Sequence, residues 1–181
     1  MRNRRAAAMA ASNESINESI FALSAREVMT PDPVCAAPDM PLRTLAQLLD
    51  GAGVSGVPVV DHQRRVIGVV SRTDLLRACL ARAEDYEPAF LFEILSDEED
   101  SEFDFEEEYT APDLRVEDFM TEDPITALPH TPLRELAQRM AQEEVHRVVI
   151  VDDDGAAVGV VTSMDVVRAL AQAASEGRGA L

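Results

Sequence analysis

No lysine occurs among the 181 residues; all 16 basic side chains are arginine. That excludes a Schiff-base lysine and any phosphate loop that depends on one. Cysteine is scarce as well. Cys35 and Cys79 are isolated and fit no paired-thiol spacing, so two buried, reduced thiols are expected and not a disulfide. The three histidines, His62, His130 and His146, share no spacing with one another. No nucleophile elbow, paired metal-ligand motif or phosphate loop is present, and the chain reads as a non-enzyme. Asp152-Asp153-Asp154-Gly155 resembles the start of a calcium loop but lacks the later bidentate glutamate, so a turn between strands is expected there.

Long apolar runs are also missing. None approaches the roughly 18 residues of a membrane span. The first nine residues, Met1 to Met9, are basic and then apolar, but the apolar stretch is too short for a secretory signal. A cytoplasmic protein with no membrane partner is expected. The net charge of -18 is strongly one-sided, yet residues 84–113 alone hold 14 acids and no base, which leaves about -4 for the rest. Nothing resembles a basic groove, so a nucleic-acid polymer is not an expected partner.

What the chain does contain is a repeat. Val28-Met29-Thr30-Pro31-Asp32-Pro33-Val34 returns as Phe119-Met120-Thr121-Glu122-Asp123-Pro124-Ile125, and the offset of 91 then holds without a gap. About 22 of 53 paired positions are identical. Each copy is only about 55 residues, marginal for an independent domain, so the copies are expected to share a core about a pseudo-two-fold axis. The apolar pattern predicts a β-α-β-β-α order in each copy, an α+β (mixed α/β) class. A helix carries the stripe Leu42, Leu45, Leu49; a strand hairpin covers Val57–Val60 and Val66–Val70; a second helix follows. The second copy repeats this through Leu133, Leu136 and Met140, then Val148–Val151 and Val158–Val161, with its last helix reaching about Ala173. The expected divisions are a tail at 1–23, copies at 24–83 and 115–173, an acidic insert at 84–114, and a tail at 174–181. Ser24 and Glu27 have capping-box spacing at the start of the first copy.

The chemistry-bearing pattern closes each hairpin. Gly68-x-x-Ser71-x-x-Asp74 and Gly159-x-x-Thr162-x-x-Asp165 place a hydroxyl and a carboxylate three apart at a strand-to-helix junction. Such a pair can cap the helix. It can also receive the vicinal hydroxyls of a ribose, because an ionised carboxylate is an acceptor with two oxygens.

On these residues the two copies resemble cystathionine-β-synthase (CBS) domains, and the pair resembles a Bateman module. The matching pieces are the Met-Thr lead-ins, the helices after Pro41 and Pro132, the Val57-Pro58-Val59-Val60-Asp61 and Val148-Val149-Ile150-Val151-Asp152 strands, and the two junctions. The resemblance implies a regulatory module binding adenosine nucleotides (AMP, ADP, ATP or related compounds) in clefts between its repeats and signalling to a partner protein. It assigns Asp74 and Asp165 to ribose, helped by Ser71 and Thr162. It assigns Val34, Cys35, Val57 and Pro58 to one adenine wall, and Ile125, Thr126, Val148 and Val149 to the other. His146 and Arg147 match a phosphate-facing basic pair, for which the planar arginine fork is well shaped. The first copy has Ser55-Gly56 there. A homodimer is expected, both from the resemblance and because the helix stripes are read as exceeding what one small sheet can cover. Two other readings stay open: a divalent-cation sensor using the acidic insert, and an interaction scaffold with a vestigial pocket.

The insert carries six of the eight Phe and Tyr residues amid its acids and separates two complete copies. Replacing residues 96–111 with a Gly/Ser linker is expected to leave the melting temperature nearly unchanged, because closure entropy varies slowly with loop length. It should weaken binding to any basic partner. A thermal scan showing collapse of the fold would assign the insert a structural role instead.

Overall fold

The structure is a computed structural model and describes residues 23–81 and 114–176. The acidic insert and most of both tails lie outside these. In chain order, the first elements are α1 (Ala25–Val28), β1 (Thr30–Pro31), α2 (Leu42–Gly51), β2 (Gly56–Val60), β3 (Val66–Ser71) and α3 (Arg72–Ala81). A 3-10 turn (Val116–Asp118) then leads to β4 (Thr121–Glu122), β5 (Thr126–Ala127), α4 (Leu133–Gln142), β6 (Arg147–Val151), β7 (Ala157–Thr162) and α5 (Ser163–Glu176). The expected hairpins and helices form in both copies, and α5 runs three residues past the expected end, to Glu176.

The described residues form two compact units: 34–81 with 114–124, and 23–33 with 125–176. In the first unit β2 and β3 form an antiparallel hairpin with a bulge at Val59/Val60, and Ala36 bridges Val59 in parallel. Strand alternation sends Val57, Val59 and Val70 to one face, where Leu42, Leu45 and Leu49 of α2 and Leu75 and Cys79 of α3 bury them. In the second unit the sheet order is β1-β7-β6-β5, with β5 parallel to β6. Val148, Ile150 and Val161 face Leu133, Leu136, Met140 and Ala169.

The folded units cut across the sequence copies. The divisions at 24–83 and 115–173 follow the repeat, but each lead-in pairs with the other copy's hairpin. Thr30 and Pro31 pair with Val160 and Gly159 of β7, while Thr121 and Glu122 pair with Val69 and Gly68 of β3. The glycines explain the repeated Met-Thr and Gly-Val-Val motifs together. A Cβ on Gly68 would lie 2.8 Å from Met120 Sδ and 3.0 Å from the Thr121 carbonyl oxygen. A Cβ on Gly159 would lie 2.9 Å from Met29 Cγ. Each methionine therefore occupies the place of the missing side chain. The chain leaves each lead-in through Asp32 and Asp123, both left-handed (φ 48° and 51°), followed by Pro33 and Pro124.

Ser24 donates from its N–H (2.8 Å) and hydroxyl (2.7 Å) to Glu27, completing the expected cap of α1. Those bonds hold the Glu27 carboxyl below its ordinary value of 4.5. A carboxyl so lowered stabilises the fold above its unfolded value, and the contribution is lost as pH falls through the folded one.

The helix stripes offer no surplus for a second copy. Leu42, Leu45, Leu49, Leu133, Leu136 and Met140 are all buried within their own units, so the apolar motive for a dimer drawn from them is corrected. Two short helices suffice because each sheet presents only one face to them. Among the described residues, the large apolar side chains left exposed are Val34, Leu80, Met164, Val167 and Leu170.

The copies also test each other's turns. Gly53 and Glu144 occupy equivalent left-handed positions after α2 and α4 (φ 63° and 54°), and Arg64 (φ 63°) matches Gly155 (φ 82°). A non-glycine residue there costs roughly 1–2 kcal/mol, partly offset by the entropy glycine adds to the unfolded chain. Glu144→Gly should raise the melting temperature by about 1–3 °C, whereas Gly68→Ala should lower it by several degrees, because the Thr121 carbonyl is backbone and cannot yield like a side chain. Calorimetric scans of the two variants check both signs.

Candidate functional site

At the first junction Ser71 ends β3 and Asp74 lies in the opening turn of α3. Asp74 Oδ2 accepts the Ser71 N–H at 2.9 Å and its hydroxyl at 2.6 Å, and the Asp74 N–H donates back to Ser71 Oγ at 3.3 Å. At the second, Asp165 Oδ2 accepts the Thr162 N–H at 2.8 Å and its hydroxyl at 2.7 Å. Both are reciprocal helix caps in which one carboxylate oxygen is committed to the fold. The other oxygen distinguishes them. Arg168 donates to Asp165 Oδ1 at 3.0 Å, whereas Arg77 stands 4.0 Å from Asp74 Oδ1. The Asp165 side chain is 9% exposed and that of Asp74 19%.

Strand register decides which residues join these junctions. Arg147 is directly opposite Thr162, and Gly56 is opposite Ser71. Paired residues share a sheet face, so the second junction has a guanidinium stem beside its hydroxyl and the first has bare backbone. His146, exposed at the head of β6, accepts the Ser163 N–H on its backbone carbonyl at 3.0 Å. On the same hydroxyl-bearing face, Thr126 lies beside the buried Val149, its parallel register partner. In the first unit the Ala36 N–H donates to the Pro58 carbonyl, which sets Cys35 and Pro58 as the equivalent pair. Cys79 is buried as expected but Cys35 is only half-buried; partial burial still pushes the Cys35 thiol above its ordinary value of 9.0, opposed by Arg64, so it is neutral at pH 7.

The same alternation separates the remaining wall residues from the junctions. Val57 and Val148 are 2% and 0% exposed and turn into the helix-covered cores, leaving only their backbone near the hydroxyls. Ile125 packs against the core of its unit, and Val34 is exposed. Three features escaped the sequence reading. The arginines Arg77 and Arg168 sit three residues after each aspartate, a helical spacing that could have revealed them. Arg72, beside Ser71, reaches the Leu49 carbonyl at 3.5 Å and Asp50 at 3.4 Å. A groove of about 560 Å³ opens beside Asp74; Arg77, Ala78, Ala81, Leu114, Asp118 and Phe119 line it with that aspartate. No signal marks that groove in the sequence, because the turn carrying Leu114, Asp118 and Phe119 begins the other copy.

Comparison with known proteins is consistent with this geometry. The CBS domain family pattern matches residues 25–81 and 116–172, more than half of the chain. The uncharacterized protein MJ1426 of Methanocaldococcus jannaschii is 28% identical over 144 residues, 76% of this chain and 86% of that protein. The human 5'-AMP-activated protein kinase subunit gamma-3 is 29% identical over 130 residues, 72% of this chain but only 23% of that subunit. Among solved structures, CBSX2 of Arabidopsis thaliana in complex with AMP aligns with a TM-score of 0.62 at 26% identity, covering 82% of this chain and 96% of that one. Among the described residues, no helix is long and apolar enough to cross a membrane.

Because Asp165 caps α5 through two bonds, Asp165→Ala should destabilise the ligand-free protein by about 1–2 kcal/mol, roughly 3–6 °C in melting temperature. Thermal denaturation without ligand measures it; an unchanged melting temperature would remove the cap from the account.

Proposed function

Since the chain belongs to the CBS domain family, we propose that it is a regulatory module that binds adenosine nucleotides at its two hydroxyl–carboxylate junctions and reports their presence to a partner protein. The observation that carries this reading is the register pair Arg147–Thr162 with Asp165 at the following helix start. Acceptor, hydroxyl and cation, the three groups that a ribose phosphate needs, thereby stand at one end of the β6–β7 hairpin. Support comes from CBSX2, whose structure contains AMP, and from gamma-3, named as a subunit of a 5'-AMP-activated kinase.

In this reading adenine lies against Thr126 and Val149 in one unit and against Cys35 and Pro58 in the other. The outer carboxylate oxygen accepts from the ribose hydroxyls, and Oδ2 stays in its cap. Arg147, with His146 beside it, meets phosphate. Binding stabilises the liganded fold by mass action, and that shift is the signal available to a partner. The homodimer belongs to the same proposal. Its apolar surface would come from α5, where Met164, Val167 and Leu170 are exposed.

Titration calorimetry with AMP and adenosine tests the assignment. Arg147→Ala should weaken AMP by about 10–150-fold, the value of a hydrogen bond to a charged group, and leave adenosine within about twofold. Equal losses for both ligands would show that Arg147 serves the fold and not phosphate. Light scattering checks the dimer; a mass near 19.7 kDa at micromolar concentration refutes it.

A further inference from the structure

We propose that Met29 and Met120 form a paired modification site: oxidation of their thioethers to sulfoxides by peroxide releases both lead-in strands from the hairpin edges they cover. The site is separate from the hydroxyl–carboxylate junctions and does not depend on the nucleotide reading.

The two methionines occupy equivalent repeat positions and fill equivalent gaps. A Cβ on Gly68 would lie 2.8 Å from Met120 Sδ and 3.3 Å from its Cγ, and one on Gly159 would overlap Met29 Sδ outright. In both cases sulfur is the atom nearest the missing side chain. The backbone holds each sulfur there. The Met29 N–H donates to the Ala25 carbonyl and the Met120 N–H to the Val116 carbonyl, both at 2.8 Å, and Ala25 and Val116 are fully buried. Yet both methionines are themselves only partly buried, at the margins of the two cores. A small oxidant therefore has a way in from solvent. The strands they support are slight: Thr30–Pro31 against Val160 and Gly159, and Thr121–Glu122 against Val69 and Gly68. Pro31 has no N–H to give to its ladder.

In the reaction the thioether sulfur gives an electron pair to one oxygen of hydrogen peroxide. An S–O bond forms as the O–O bond breaks, and the departing hydroxide takes the proton from the transferred hydroxyl and leaves as water. Sulfur is oxidised by two electrons and peroxide is reduced by two. The product is polar and one atom larger, and its oxygen is a hydrogen-bond acceptor. Above Gly68 the nearest polar group is the Thr121 carbonyl oxygen, another acceptor, 3.0 Å from the Cβ position. A sulfoxide finds no donor there, so it leaves the gap for water, and the strand loses its packing. The other sulfur groups do not substitute. Met164 is 54% exposed and covers neither glycine, whereas Met140 is 6% exposed. Burial raises the Cys35 and Cys79 thiols above their ordinary value, so neither offers a thiolate to peroxide at pH 7.

Graded hydrogen peroxide treatment of the full chain, followed by peptide mass mapping, thermal scans and hydrogen exchange, tests the site. Met164 should gain its oxygen first and leave the melting temperature unchanged. Oxidation of Met29 and Met120 should then lower it by about 5–10 °C. Amide exchange should quicken in segments 28–33 and 119–124 before it does in α2 and α4. A methionine sulfoxide reductase should restore both readings, and dithiothreitol should not, because a simple thiol reduces disulfides and sulfenic acids but leaves sulfoxides. Met29→Leu combined with Met120→Leu keeps apolar groups of similar volume and should abolish the response. Should that variant fold poorly, reversal by the reductase on the unaltered chain decides. Sulfoxides at both positions with unchanged melting and exchange would overturn the proposal. So would recovery with dithiothreitol alone, or oxidation of Met29 and Met120 only after the buried Met140 has reacted.

Discussion

Neither hairpin has a protected outer edge of its own. The free edge of β3 is covered by Thr121–Glu122 and that of β7 by Thr30–Pro31, in each case from the lead-in of the opposite copy. An uncovered edge leaves backbone donors and acceptors unpaired and invites foreign strands. Two residues of strand are a small remedy, and they hold because Met120 and Met29 fill the space above Gly68 and Gly159. The sulfur side chain suits an irregular gap, being unbranched and polarisable. The hairpins, the helices that follow them and both junctions rest on that pairing.

One consequence reaches the junctions directly. Gly68 lies three residues before Ser71, and Gly159 three before Thr162, so the strand that receives the lead-in is the one that ends in the hydroxyl. The carboxylates then divide their two oxygens between tasks. Oδ2 fixes the helix start, while Oδ1 faces an arginine or the open groove. In the proposed reading, architecture and recognition share a side chain, and a change at Asp74 or Asp165 acts on both.

Most of the fold was legible in the sequence. The stripes at Leu42, Leu45 and Leu49 and at Leu133, Leu136 and Met140 are amphipathic helices, and the valine runs are hairpins, because 3.6- and 2-residue periods are local signals. The capping geometry of Ser71–Asp74 was legible for the same reason. The exchange of lead-ins was not: Met29 and Gly159 are far apart in sequence, and pairing between two-residue strands leaves no periodicity. Repeat matching pointed the other way, since it groups each lead-in with the hairpin that follows it. The wall residues mixed two sheet faces because the family resemblance supplied contiguous pairs such as Val57-Pro58, and adjacent strand residues point to opposite sides. The interaction of Arg168 with Asp165 was within reach of helical spacing, but the closer approach of Arg168 than of Arg77 depends on side-chain placement.

The exchange also sets an order of events during synthesis. Once β3 has left the ribosome, its edge waits for Thr121–Glu122, about 50 residues downstream across the acidic insert. At roughly 5–20 residues per second that is a delay of about 3–10 s with an apolar strand edge exposed. The lead-in at Thr30–Pro31 waits longer, until Gly159 and Val160 appear near the end of the chain. Contacts of such long sequence separation form slowly even when the chain is complete. In the interval, a lead-in from a second nascent copy could fill the same edge. A run of 14 carboxylates between the two halves makes that encounter less favourable, since like-charged inserts on neighbouring chains repel one another.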